Sequence, residues 1–237
     1  MYIMFTFRIN DFLFGINESN ICVVYGDKYT NDFLINDSLK IYLNNIKTQI
    51  NSISEKWDYI KKYTNKYEFV NTPVSIDANI KMSVCSYKPI SRSYFKMIEI
   101  LKNFKFNFHE NIVSFHLAEG PGGFIEALSR QRKNPSDTYY AMTLIDNNNK
   151  NIPNWAKIKD FLKSNHNIHL LYGPKGDGDL YNEWNLEYIK KKFENKVDFI
   201  TADGGFDYSD DFNNQEVNSI NLIFSKIIYA IIMQKER

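Results

Sequence analysis

Apolar residues along the chain change their spacing near residue 90, and the change divides it in two. Between Ser38 and Tyr63 they recur at three- and four-residue intervals, at Leu39, Tyr42, Leu43, Ile46, Ile50, Ile53, Trp57 and Ile60. That spacing places one apolar stripe on a helix. Phe5–Phe14 and Ile21–Tyr25 have the length and apolar content of short strands. Pro73 and Lys88-Pro89 then mark boundaries, because proline ends regular helix and restrains the residue before it. Residues 1–85 are expected to form a mainly helical extension, and residues 86–237 a separate domain.

From Ser91 onward, short apolar runs alternate with helical patterns. Ser91–Leu101 predicts a helix with Tyr94, Ile98 and Leu101 on one face, and Ile112–Leu117 predicts a buried strand. The chain then passes through a glycine-rich stretch into a helix over Phe124–Arg130. Strands are expected at Tyr139–Ile145, Ile168–Tyr172 and Val197–Ala202. Helices are expected at Trp155–Leu162, from an Asn185 cap to about Glu194, and over Gln215–Gln234. The last should turn Ile220, Ile223, Phe224, Ile227, Ile228 and Ile231 inward. Such alternation implies an α/β fold, a Rossmann-like doubly wound parallel sheet with helices on both faces.

Bulk composition narrows the field only a little. The 237 residues are 43% hydrophobic and 24% charged, with a net charge of +1. A nucleic-acid site would therefore be a local basic patch. Lys61-Lys62 and Lys190-Lys191-Lys192 are more simply read as solvated helix faces. Cys22 and Cys85 are isolated, so neither a disulfide framework nor a zinc cluster is expected. No apolar run has the length of a membrane span, and the apolar N-terminus lacks the basic region and cleavage site of a signal peptide. An intracellular location is expected. The abundance of Asn, Lys and Ile resembles AT-rich coding, as in large DNA viruses or some protists.

Candidate chemistry gathers at the carboxyl ends of the expected strands. Glu119-Gly120-Pro121-Gly122-Gly123-Phe124 follows the first strand. Glycines there would let a backbone turn tightly and approach a ligand. The stretch is neither a P-loop nor G-x-G-x-x-G, so a dinucleotide is disfavoured. Asp146 follows the second strand, Asp177 and Asp179 the third, and Asp203 the fourth. Singly, each is ordinarily a turn or cap residue. Together with the glycine loop they converge on one crevice that could bind a ribose, an adenine and a cationic group. No His joins them, and the spacing is not that of a calcium loop, so no metal is expected. Lys96, on the first helix of this region, is by spacing alone a surface residue paired with Glu99.

In combination, these segments resemble the FtsJ-like RNA 2′-O-ribose methyltransferases, in particular the cap methyltransferase branch of eukaryotes and large DNA viruses. The resemblance spans roughly residues 85–237. It is carried by Ser91–Ile100 around Lys96, His116–Phe124, Tyr172–Asp179, Asp198–Gly205, and by Asn213, Gln215 and Glu216. Glu119 and His116 depart from residues common in relatives.

The resemblance implies methyl transfer from S-adenosylmethionine to RNA, with capped mRNA as the partner. It implies that Lys96 and Asp203 are catalytic, as the first two members of a Lys-Asp-Lys-Glu tetrad. It further implies that Glu119, Gly120, Pro121, Gly122, Gly123, Phe124, Asp146, Asp177, Asp179 and Asp203 bind the cofactor. The second lysine is expected on a strand beyond Arg237. Lys235 is set aside because it belongs to the helix end. Residues 1–237 are therefore expected to bind cofactor weakly and turn over little. A strand order of 3-2-1-4 would leave the fourth strand as a bare edge, to be completed by a C-terminal segment or a partner. Two rivals stand beside this reading. One is a non-catalytic RNA-binding or scaffold subunit, and the other a methyltransferase acting on protein or a small molecule.

Overall fold

The computed structural model describes residues 36–53, 55–56, 60, 88–104, 106–108, 110–146, 148–149, 152–205 and 215–236. The expected strands at Phe5–Phe14 and Ile21–Tyr25, Pro73, the Lys61-Lys62 pair and the boundary near residue 85 lie outside them. The chain divides into two compact units, Met1–Leu43 and Asn44–Arg237.

Helix α1 (Asp37–Gln49) bears out the helical spacing at the start of the Ser38–Tyr63 stretch. The side chain of Asn36 accepts from the N–H of Leu39 at 2.9 Å, the usual way an N-terminal donor is satisfied. A 3-10 turn (Ile50–Ile53) follows.

Four parallel strands make the sheet: β1 (Val113–Leu117), β2 (Thr138–Met142), β3 (Ile168–Leu171) and β4 (Phe199–Ala202). Their order is β3-β2-β1-β4, as expected. Phe115 sits opposite Tyr140 on one side and Ile200 on the other. Because strand side chains alternate, β1 and β2 supply both layers. Tyr139 and Ala141 pack on one face with Met97, Ile125, Leu128 and Ile158. Phe115, Leu117 and Met142 pack on the other with Ile189, Phe193, Tyr229 and Met233. Helices α2 (Ser93–Asn103), α3 (Gly123–Arg132) and α4 (Lys159–Lys163) thus cover the first face, and α5 (Glu183–Phe193) and α6 (Gln215–Met233) the second. Burying each large apolar side chain in these layers contributes about 1.5–3 kcal/mol.

Helix α6 docks by a different stripe from the one its isoleucines suggested. Tyr229 and Met233 are 1% and 0% exposed, whereas Ile220, Ile223, Phe224, Ile227 and Ile231 are exposed. Leu222, Tyr229 and Met233 pack into the second layer, with Lys226 half-buried between them. Their spacing of four, three and four residues is one helix face. Both faces of α6 are apolar, so hydrophobicity alone does not select the one that docks.

The edge of β4 is also not wholly bare. Past α6 the chain turns back so that Gln234 bridges Val197 in parallel. The Lys235 N–H donates to the Val197 carbonyl at 3.0 Å. Asp198 N–H meanwhile donates to the Val113 carbonyl of β1. Successive residues of a strand bond to opposite sides, so Gln234 lies on the edge away from β1. Lys235 therefore belongs to this extended segment rather than to the helix end, and its Nζ is 2.7 Å from Asp198.

Candidate active site

The glycine loop grows directly out of the central strand. After Leu117, Ala118 adopts a left-handed φ of 51°, and Gly120–Pro121 is a cis peptide. Gly122 N–H closes the turn on the Glu119 carbonyl at 2.8 Å. Gly122, at φ 113°, precedes the first residue of α3. Only glycine takes that backbone conformation without strain.

Protein, not open crevice, occupies the side of three of these glycines where a side chain would point. A Cβ on Gly123 would lie 2.1 Å from Ser93 Oγ and 2.8 Å from Tyr94 N. On Gly122 it would meet Ile158 at 2.5 Å, and on Gly120 the Pro153 carbonyl at 2.6 Å. These glycines are thus required by the close packing of α2, the 3-10 turn Trp155–Ile158 and the Pro153 segment, where the sequence suggested approach by a ligand.

Glu119 fills the role a capping residue would have. Its Oε1 accepts from Phe124 N–H at 2.5 Å and Ile125 N–H at 3.4 Å, satisfying free donors of α3. The side chain is buried and Oε2 has no hydrogen-bond partner. Burial pushes its carboxyl up to about 8, against the pull of the two N–H donors.

One strand over, β4 ends at Ala202 and releases Asp203 at the same rim. Helix α2 brings Lys96 to it: Lys96 Nζ is 3.0 Å from Asp203 Oδ1 and 3.4 Å from Oδ2. Lys96 is thereby taken up by Asp203, where spacing alone suggested Glu99. The lysine side chain is 63% exposed and the aspartate 24%, so the pair faces solvent at the crevice. The turn after Asp203 is tight. A Cβ on Gly204 would lie 2.3 Å from Ala118 Cβ, whereas one on Gly205 would meet nothing within 4 Å among the described residues.

The remaining acidic residues are placed less uniformly. Asp146, at the rim beyond β2, is exposed and accepts from Asn148 N–H at 2.8 Å. Asp177 is turned to the protein: Oδ1 accepts from Asn185 Nδ2 at 2.7 Å, and Oδ2 from Asn182 Nδ2 at 3.2 Å. Asp179 accepts from Tyr181 N–H at 2.9 Å. Among the described residues no cluster of three or more His, Cys, Asp or Glu is arranged to hold a metal, and no helix is long and apolar enough to cross a membrane.

The rim is accompanied by direct sequence kinship. The model of the FtsJ-like methyltransferases matches residues 89–235, more than half of the chain. The chain belongs to the FtsJ-like methyltransferase family. Over 119 residues it is 31% identical to the cap-specific mRNA (nucleoside-2′-O-)-methyltransferase 1 of Drosophila melanogaster. That stretch is 48% of this chain and 14% of the relative, so the chain spans a small part of that protein's length. Among solved structures, a ribosomal RNA methyltransferase from Plasmodium falciparum is similar at 15% identity and a TM-score of 0.41, over 61% of this chain and 72% of the other. An S-adenosyl-L-methionine-dependent methyltransferase from Methanococcus maripaludis is similar at 15% identity and 0.38, over 62% and 53%.

Within this FtsJ-like domain several residues have roles that the sequence pattern did not assign them. Asn182, not Asn185, caps α5, accepting from Trp184 N–H at 3.1 Å. Asn185 is one turn inside the helix and buried, because its amide is needed to hold Asp177 and the Asp179 carbonyl. His116 is buried in β1 with Nδ1 2.7 Å from Thr201 Oγ1 and Nε2 2.9 Å from Ser114 Oγ. Burial lowers its pKa to about 3, so the ring is neutral. Lys226 donates to the Gly204 carbonyl at 2.9 Å. Its position on the Leu222–Tyr229–Met233 face was the available signal, hidden by the stronger isoleucine pattern.

Proposed function

We propose that this FtsJ-like domain transfers the methyl group of S-adenosylmethionine to a ribose 2′-hydroxyl of RNA, in the cap region of mRNA. The observation that carries the reading is the Lys96–Asp203 contact at the carboxyl rim, 3.0 Å between charged atoms, beside the loop that ends β1. The name of the Drosophila relative supports the 2′-hydroxyl and the cap as target.

The rim's chemistry fits such a cofactor. A sulfonium nucleoside is cationic at the reacting end and rich in hydroxyls at the ribose. Asp203 and the exposed Asp146 offer carboxylates at two strand ends, and none of the described residues fills the space where a Gly205 side chain would point. Asp203, the backbone of Gly120–Phe124 and Asp146 would hold the group, with the loop fixed by Asp177 and Asp179 at the third strand end. When bound, S-adenosylmethionine supplies an electrophilic methyl.

The chain's own part is placement and charge. Asp203 holds the Lys96 ammonium in one position. A ribose hydroxyl held beside Lys96 would give up its proton to solvent as its oxygen takes the methyl and the thioether S-adenosylhomocysteine leaves, and the fixed ammonium would stabilise the negative charge that grows on that oxygen. No reorganisation is needed at that moment, because the ion pair is preformed. Capped RNA inside the cell is the partner proposed, supported by the name of the Drosophila relative.

Calorimetric titration with S-adenosylhomocysteine, followed by transfer of labelled methyl to capped RNA and nuclease digestion, tests the proposal. Saturable binding that weakens in Asp203→Ala is expected, with label recovered in the low yield expected of residues 1–237 and as a 2′-O-methyl nucleoside. No binding at millimolar ligand, or label on a base, would overturn it.

A further inference from the structure

Lys226 stands on the docking face of α6, where a charged side chain is costly. Its neighbours on that face, Leu222, Tyr229 and Met233, are part of the second core layer. Half-buried there, Lys226 spends its ammonium on one backbone carbonyl, that of Gly204. Gly204 directly follows Asp203, and a Cβ added to it would lie 2.3 Å from Ala118 Cβ of the glycine loop and 3.5 Å from Leu222 of α6. The ammonium is also close enough to Asp203 for the carboxylate to act on its charge. A methionine would fill the same space without the desolvation penalty. Stability of the helix packing therefore does not account for a lysine at this position.

We propose that Lys226 is a positioning residue: from α6 it fixes the Asp203–Gly204 turn by its backbone and, with Lys96 from α2, completes a two-cation clamp on that turn. The clamp joins elements from opposite faces of the sheet. Lys96 approaches from the layer that holds Met97, and Lys226 from the layer that holds Tyr229. Asp203 is thus oriented by a direct ion pair on one side and by its own backbone on the other. Burial holds the Lys226 pKa below its ordinary value, and the Asp203 charge works against that shift. The consequence for methyl transfer rests on the function proposed above; the clamp itself does not.

Three proteins test this: the wild-type chain, Lys226→Met and Lys226→Arg. Each is measured for S-adenosylhomocysteine affinity, for amide hydrogen exchange in the Ala202–Gly205 segment, and for thermal midpoint. Lys226→Met is expected to bind about tenfold more weakly, the loss of one charge-assisted hydrogen bond. Exchange at Gly204 and Gly205 should rise while the midpoint stays within about 3 °C of wild type. Lys226→Arg, which retains a cation and donors, should restore both affinity and protection. Wild-type affinity and exchange in Lys226→Met would overturn the proposal, as would losses that merely track a fallen midpoint. If the wild-type chain binds no cofactor while Lys226→Met still frees the turn, the clamp stands and the methyltransferase reading fails.

Discussion

The ammonium of Lys96 lies 3.0 Å from a carboxylate oxygen of Asp203, 107 residues further along the chain. The two come from different elements, a helix start and a strand end, and meet only because both reach the carboxyl rim of the sheet. The lysine is 63% exposed, and an exposed pair of this kind contributes about 0–1 kcal/mol to folding. Stability is therefore a poor reason for the contact, and the proposed function offers another: the charge it places at the rim.

Replacing Lys96 with Met should leave the thermal midpoint within about 3 °C of wild type. Methyl transfer to RNA should fall by roughly a hundredfold or more, the usual loss when a preformed charge-stabilising group is removed. Differential scanning fluorimetry and the labelled-methyl assay together check this. Parallel losses of stability and activity would show the pair to be structural.

Two buried groups give stability opposing pH dependences. His116 has its pKa lowered from 6.5 to about 3. Between those values the unfolded chain takes up a proton that the folded chain refuses, so stability falls as pH drops from 6.5 towards 3. Glu119 has its pKa raised from 4.5 to about 8. There the folded chain keeps a proton that the unfolded chain loses, so stability falls as pH rises from 4.5 towards 8. The two contributions offset each other between 4.5 and 6.5, with a decline on either side. Urea denaturation across pH 4–8.5 should show the alkaline decline. Glu119→Gln, which keeps an oxygen for the Phe124 and Ile125 N–H donors, should flatten it above pH 6.5.

Much of the domain was legible because its signals are local. The buried strands announce themselves as short apolar runs, and Asp203 follows one of them. The strand order and the pairing of Lys96 with Asp203 were implied by the family resemblance, whereas spacing alone gave Lys96 to Glu99. What escaped depends on choices between near-equal alternatives. Helix α6 is apolar on two sides, so the inward turn of Leu222, Lys226, Tyr229 and Met233 is settled by contacts with the sheet. Asn182 and Asn185 are equally good caps in isolation, and the buried amide requirement of Asp177 separates them. The glycines of the β1–α3 loop were correctly singled out, yet three of them face Ser93, Ile158 and Pro153. A glycine-rich pattern reports close approach without saying what approaches.

Glycines in similar conformations should therefore tolerate alanine very differently. Gly176 and Gly178 have φ values of 76° and 59°, so a side chain at either is strained by about 1–2 kcal/mol. Around Gly176 none of the described residues lies within 4 Å of the added Cβ, whereas at Gly178 it would lie 2.0 Å from the Thr143 carbonyl. Backbone cannot step aside as a flexible side chain can. Gly176→Ala should cost only the conformational strain, and Gly178→Ala a further 1–3 kcal/mol, roughly the penalty of overpacking. Equal urea midpoints for the two variants would mean that the loop rearranges freely about Asp177.

Asn185 offers the sharpest test of how the third strand end is held. Its side chain is fully buried inside α5, with Nδ2 bonded to Asp177 Oδ1 at 2.7 Å and to the Asp179 carbonyl at 2.9 Å. A Cβ on Gly173 would fall 1.7 Å from Asn185 Oδ1, so the amide is packed as tightly as it is bonded. Burial works to raise the Asp177 pKa, but Asn185, the Asp179 N–H and Asn182 hold it below the usual carboxylate range. Asn185→Ala removes the closest of these donors and leaves a cavity, at a cost of about 2–4 kcal/mol. Asn185→Asp keeps the volume yet sets a second carboxylate against Asp177, and should be worse at neutral pH than at pH 4. Urea denaturation of both variants at the two pH values checks the prediction. If Asn185→Asp were the more stable variant at pH 7, the Asp177 contact would not be what holds the loop.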